Sequence, residues 1–230
     1  MGKTAFFLPV RKGSVRVNNK NTRKFAGIEG GLLANKLNQL INTEQIDEII
    51  LSTNDYESIQ IAIPFKKKCD RLSIIERPDE LCLDSTNLQD LIRYVPTITD
   101  AHHILWGHVT TPFADHEIYD RAIRMYFSIL KENYDSLVSV IELKNFLLNC
   151  EGKLINNSTN IPWPRTQDLA PLYEINHVMF IAKREIYINQ CNRIGNHPYL
   201  FVMDKIRSID IDWEEDFQMA EIIYRFFINI

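Results

Sequence analysis

The chain has 230 residues, 45% of them hydrophobic and 24% charged, with a formal net charge of −4. That length can bury the core of one α/β domain without disulfide staples, and the acidic balance excludes a global basic field that would draw nucleic acid or an anionic membrane. Four cysteines, Cys69, Cys82, Cys150 and Cys191, lie far apart with no C-x-x-C pair, which argues against a zinc site or a disulfide framework and fits a reducing cytoplasm.

Residues 5–10 form an apolar run too short to cross a bilayer and without the cleavage site of a signal peptide, so they are read as a buried strand. The run empties into Arg11-Lys12-Gly13-Ser14-Val15-Arg16, with Lys20-Asn21 four residues on. Glycine lets the backbone approach an anion, the Ser14 hydroxyl and main-chain N–H groups donate to its oxygens, and Arg11, Arg16 and Lys20 neutralise it. The loop therefore reads as a triphosphate site, although a solvated basic turn has the same composition and neither G-x-x-x-x-G-K-[ST] nor G-x-G-x-x-G is present.

Apolar residues at helical spacing mark a helix over 32–41, stopped by Asn42. Residues 47–53 read as a buried strand, 56–68 as a helix and 72–75 as a third strand. The alternation predicts a mostly parallel sheet sandwiched by helices, with ligands at the carboxyl ends of the strands. The third strand exits into Arg77-Pro78 and then Asp84-Ser85, ahead of a helix over 88–95. These residues serve either a ligand or a surface ion pair and a helix cap.

A fourth strand over 103–107 delivers His108-Val109-Thr110-Thr111-Pro112, where a lone histidine is more often a satisfied structural residue than a catalyst. A helix follows over 115–133 and a strand over 136–142. Residues 146–155 read as a β-hairpin turning at Glu151-Gly152, exposing apolar residues that no predicted helix covers. Pro164-Arg165-Thr166-Gln167 returns the chain to the core; strands are predicted over 178–181 and 199–203, with a helix over 184–192 between them. In strand conformation Asp210 and Asp212 would share one face, and two crowded carboxylates call for a cation; hard oxygen ligands near a triphosphate indicate Mg²⁺. Alternatively Asp212 caps the closing helix, whose first turn holds Asp216.

The pattern Pro9-x-Arg11-x-Gly13-Ser14-x-Arg16-x-x-x-Lys20-Asn21 resembles the opening signature of the CMP-acylneuraminate and CMP-Kdo synthetase superfamily. Arg77-Pro78, Asp84-Ser85, Thr110-Thr111-Pro112, Arg165-x-Gln167 and Ile209-Asp210-Ile211-Asp212 follow in that family's order. The resemblance implies a nucleotidyltransferase (glycosyltransferase-A-like) fold, one domain over 1–230, with an arm at about 143–170 that completes a homodimer or, on a monomer, closes as a lid. It implies transfer of CMP from CTP to the anomeric hydroxyl of a 2-keto-3-deoxy sugar acid, with release of pyrophosphate.

On that resemblance, Arg11, Gly13, Ser14, Arg16 and Lys20 hold the triphosphate, with Arg11 and Lys20 as the catalytic cations. Asn21, Arg77, Asp84 and Ser85 position the nucleoside, Asp210 and Asp212 hold Mg²⁺, and His108, Thr110, Gln167 and Asn176 face the sugar. The chain departs from the family at His108, where glutamine is usual, at Val15, where lysine is common, and at His177, where glycine follows the asparagine. Glu174 stands where sialate-activating members place an arginine for the sugar carboxylate, and a glutamate cannot pair with a carboxylate. A cytidylyltransferase for Kdo or a non-sugar acid, a D-x-D glycosyltransferase and a catalytically silent nucleotide-binding subunit are the alternatives.

Overall fold

Four strands with unbroken apolar or β-branched runs form the middle of the molecule, because a strand covered on both faces has no polar side to show. In the computed structural model, which describes residues 2–13 and 16–227, these are β1 (Thr4–Val10), β2 (Glu48–Thr53), β4 (His103–Trp106) and β5 (Ser136–Leu143). With β3 (Leu72–Glu76), β6 (Leu172–Lys183) and β7 (Pro198–Val202) they make one seven-stranded sheet in the order β3-β2-β1-β4-β6-β5-β7. Ser14, assigned above to phosphate, lies outside the described residues.

The helices are α1 (Gly31–Ile41), α2 (Tyr56–Lys66), α3 (Leu88–Tyr94), α4 (His116–Ile129), α5 (Arg184–Gln190) and α6 (Glu214–Phe227). Phe6, Leu8 and Val10 of β1 face one apolar layer with Leu33, Leu37 and Leu40 of α1 and Ile123 of α4. Ala5 and Phe7 face the other, with Trp106, Phe180 and Tyr187. Period-two alternation thus feeds two cores from one strand, and the sheet is sandwiched as expected. Asp55, Asn87 and Asp115 start α2, α3 and α4 by accepting from Ser58, Gln89 and Ile118 N–H, which satisfies donors that a helix N-terminus leaves free.

β1 pairs in parallel with both β2 and β4, so the chain moves outward through β2 and β3 and then returns to the other side of β1. The reversal leaves a crevice beyond the carboxyl ends of β1 and β4, where an open α/β sheet takes its ligand. Two glycines shape its approaches. Gly31 has φ +60, and a Cβ there would lie 2.1 Å from the Arg23 carbonyl oxygen; at Gly107 a Cβ would meet the Phe6 ring at 2.4 Å.

The far half of the sheet departs from the parallel pattern. β6 runs antiparallel to both β4 and β5, and it is twelve residues long where only 178–181 was expected. Its first half mixes apolar and polar residues and is mostly exposed, so no apolar run announces it; pairing with the end of β5, down to Leu143↔Leu172, makes it a strand. The register shifts between Val138 and Val140 of β5, bulging residues 176–179 of β6 and placing His177 at φ +57. Beyond the β5–β6 ribbon lies the predicted hairpin. It bridges Leu148 to Leu154, turns through Gly152 at φ +76, and leaves Leu148, Ile161 and Trp163 exposed.

The two C-terminal aspartates are not in a strand. Residues 209–212 form an irregular segment, outside the sheet ladders of the described residues and tied by Ile211 N–H to the Thr110 carbonyl at 2.9 Å. Among the described residues no helix is long and apolar enough to cross a membrane, and all four cysteines are free.

Candidate active site

A cleft of ≈ 660 Å³ opens at the topological switch. It gathers Arg11, Arg16, Lys20 and Asn21 from the first loop, Arg77 and Asp84 from beyond β3, His108 and Thr110 from beyond β4, and Asp212 from the C-terminal segment. Nine residues singled out from sequence therefore meet in one place. They are spread over 200 positions, and only the sheet order brings them together.

The cations are paired with carboxylates across the cleft. Arg11 Nη1 lies 2.5 Å from Asp84, and Arg16 Nη1 lies 3.1 Å from Asp212 while its guanidinium stacks on Trp213 at 5.0 Å. Lys20 Nζ donates to the Ile211 carbonyl at 2.7 Å and stands 4.0 Å from Asp212. Burial lowers its pKa, an effect that Asp212 and Asp210 oppose. Arg77 is almost wholly buried, donating to the Val10 carbonyl at 2.9 Å and to Cys82 Sγ at 3.0 Å. It clamps the end of β1 from beneath, so much of its donor capacity is structural.

The irregular backbone separates the fates of the two C-terminal carboxylates. Ile211 is buried, Asp212 is exposed in the cleft, and Asp210 is drawn inward. Burial raises the Asp210 pKa, with a hydrogen bond from Thr110 opposing, and its Oδ1 is buried without a partner among the described residues. A buried carboxylate oxygen with no donor is costly unless something fills it, and a hard divalent cation takes such an oxygen. Among the described residues no cluster of three or more His, Cys, Asp or Glu occurs, so protein ligands alone do not complete a coordination shell. Asp216 accepts from the N–H groups of Asp212 and Trp213 at 3.1 and 2.8 Å, which starts α6 and holds Asp212 in place. The capping work assigned to Asp212 is thus done by Asp216.

Four expected residues lie elsewhere. Gly13 has φ +78 in an open turn, as a tight approach requires, but does not line the cleft. Ser85 is exposed beside Asp84. Gln167 is exposed on the arm, in a short 3₁₀ turn, because the long β6 starts after it and carries it away from the sheet. Asn176 is buried in the β6 bulge, where its amide donates to Ser208 at 2.9 Å and its carbonyl accepts from Val178 N–H. A bulge leaves backbone groups unpaired, and Asn176 is consumed in satisfying them.

His108 is neutral at physiological pH: burial, and then the nearby Arg193, pushes it down to about 3. Its Nε2 is buried without a partner among the described residues, which suits a hydrogen bond to ligand rather than proton abstraction. Sequence reasoning passed over Lys36, which is fully buried under the cleft. Its ammonium donates to the Thr111 carbonyl at 2.8 Å and to Tyr119 Oη at 2.7 Å, and burial lowers its pKa to about 7. The signal was a lysine inside the apolar stripe of α1, where Leu33, Leu37 and Leu40 are its neighbours.

Residues 5–225 match the family model described as Cytidylyltransferase. An N-acylneuraminate cytidylyltransferase from Escherichia coli is 26% identical over 95% of this chain and 51% of its own length. The chain thus spans about half of that relative. A pseudaminic acid cytidylyltransferase from Campylobacter jejuni is 23% identical over 97% of both chains, and a CMP-N,N'-diacetyllegionaminic acid synthase from Legionella pneumophila 24% identical over 93% of both. Among solved structures, a CMP:2-keto-3-deoxy-manno-octonic acid synthetase complexed with CTP superposes with TM-score 0.67 at 12% identity, covering 96% of this chain and 98% of the other. A 4-diphosphocytidyl-2C-methyl-D-erythritol synthase from Anaerococcus prevotii gives TM-score 0.67 at 12% identity, covering 97% and 96%.

Proposed function

Because the chain belongs to the cytidylyltransferase family, we propose that it transfers CMP from CTP to the anomeric hydroxyl of a 2-keto-3-deoxy sugar acid of the nonulosonate class. The hydroxyl oxygen attacks the α-phosphorus, the bond from that phosphorus to the β-bridging oxygen breaks, the hydroxyl proton is lost, and pyrophosphate leaves. The convergence of Arg11, Arg16 and Lys20 with Asp212 at the carboxyl ends of β1 and β4 carries this reading. The relatives named for acylneuraminate, pseudaminic and legionaminic acids support the acceptor class.

Phosphoryl chemistry of this kind depends on positioning and on stabilising charge, not on a covalent intermediate. Arg16 and Lys20 share one carboxylate, Asp212, so they hold more positive charge than it neutralises, and a triphosphate supplies the balance. Arg11, oriented on Asp84, adds its charge to the triphosphate site, and Asp84, Arg77 and Asn21 bound the nucleoside end. Asp212 and the unpartnered Oδ1 of Asp210 fit Mg²⁺, which when bound polarises the α-phosphate and acidifies the attacking hydroxyl. Lys36, beneath Asp210, adds a fixed donor network that holds the Thr111 turn.

The exposed apolar side chains of the arm support a homodimer in which each arm reaches a second copy, and Gln167 travels with it. The free cysteines fit a reducing cytoplasm. Pyrophosphate release from CTP with Mg²⁺, assayed against N-acetylneuraminate, legionaminate, pseudaminate and Kdo, tests the reaction. Release with one nonulosonate is expected. CTP binding without release on any acid would overturn the acceptor assignment.

A further inference from the structure

From Trp106 and His108, which line the cleft, a circuit of rings runs on: Trp106 to His108 at 6.3 Å between centroids, His108 to His177 at 5.9 Å, and His177 to Phe180 at 6.0 Å. Arg193 completes the circuit. Its guanidinium lies 3.8 Å over Phe180 and 5.1 Å over Trp106.

Three features of the circuit are unexplained by the fold. Arg193 is half-buried, yet among the described residues its guanidinium has no hydrogen bond and no carboxylate partner. His108 Nε2 and Trp106 Nε1 are both buried without partners among the described residues. His177 holds a left-handed backbone, φ +57, where glycine would be free of strain, and its ring is thereby set against His108. Unsatisfied groups gathered on one wall belong to a binding site more readily than to a core.

The arginine is deliberately placed. Cys191 ends α5 at φ +48, and the Asn192 side chain accepts from Arg193 N–H at 2.8 Å and Ile194 N–H at 3.2 Å, so the backbone beneath the guanidinium is pinned. Burial lowers its pKa to about 10, which leaves it cationic at neutral pH. A guanidinium held over ring faces, with no hydrogen-bond partner among the described residues, keeps N–H donors free, and its planar fork matches a carboxylate with two parallel N–H···O bonds.

We infer that Arg193 receives the carboxylate of the acceptor sugar acid, with His108 hydrogen-bonding beside it, so that the anionic handle is read from the α5–β7 connection. This rests on the proposed cytidylyl transfer to a sugar acid. It explains how Glu174 is tolerated: Glu174 is exposed in the β5–β6 ribbon, and the compensating cation comes from another element. Trp106 and His108 also line the nucleotide cleft, so an acid held by Arg193 sits next to the triphosphate.

The test uses the full-length enzyme, the panel acid it turns over fastest, and the 1-carboxamide of that acid. Arg193→Gln is expected to raise KM for the acid roughly 10- to 100-fold, leave KM for CTP within twofold and erase the preference for acid over carboxamide. Arg193→Lys keeps the charge without the planar fork and should fall between. An unchanged KM and preference in Arg193→Gln would overturn the assignment, as would an equal rise in KM for CTP, which marks a structural role. If the wild-type enzyme turns over no acid while binding CTP, the proposed acceptor class itself falls, and this assignment with it.

Discussion

Asp212 faces two cations and, in the proposed reaction, a metal, so its removal has two opposed consequences. The triphosphate would meet Arg16 and Lys20 with no competing carboxylate, while transition-state stabilisation through the cation would be lost. Asp212→Ala is therefore expected to lower kcat about 10²- to 10³-fold, on the order of 3–4 kcal/mol, without raising KM for CTP. Mg²⁺ titration of pyrophosphate release checks it; an unaltered Mg²⁺ dependence would remove Asp212 from the metal site. A second residue-scale prediction concerns His103, buried in β4 with Nδ1 3.0 Å from Tyr126 Oη. Burial lowers its pKa from 6.5 to about 4. Between those values the unfolded chain binds the proton and the folded chain does not, so this contribution is whole above pH 6.5 and lost as pH falls toward 4. His103→Gln should flatten the acid limb of the stability curve by up to about 1.4 kcal/mol per pH unit across that window, read by denaturant unfolding at several pH values.

Among elements, the arm differs most from its surroundings. Its hairpin holds together through Asn156, whose amide donates to the Asn145 carbonyl at 2.8 Å, and through the packing of Phe146 on Trp163 at 5.5 Å. Leu148 and Trp163 nevertheless remain 60% and 76% exposed, an apolar surface outside either core. Leu148→Glu with Trp163→Glu is expected to convert a dimer to a monomer in sedimentation while shifting the melting temperature of the protomer little. A dimer that survives the double substitution would place the interface elsewhere. The hairpin and its turn were legible in the sequence because Glu151-Gly152 between apolar runs is a local signal. The supporting strand was not: residues 172–175 lie outside the core, and their ladder with β5 makes them a strand.

For the whole molecule, the cleft brings together the first loop, the ends of β1 and β4, and the C-terminal segment, so a nucleotide bound there contacts parts of the chain distant in sequence. CTP at about 100 times its dissociation constant should add about 2.7 kcal/mol of stability and raise the melting temperature by roughly 5–10 °C. A shift absent in Arg11→Ala but present in Arg193→Gln would place the nucleotide at the first loop.

The alternation of strands and helices, the basic loop and the aspartate pair were readable from the chain because periodicity, capping and turn chemistry depend on neighbours a few residues apart. The tertiary structure decided the rest. Asp210 turns inward and Asp212 outward because Ile211 is anchored to Thr110. Asn176 is spent on a bulge that only the β5 register creates. Gln167 is carried out on the arm, and Arg193 is delivered over Trp106 and Phe180. Each of these outcomes depends on pairing or packing between segments distant in sequence, which no local pattern encodes.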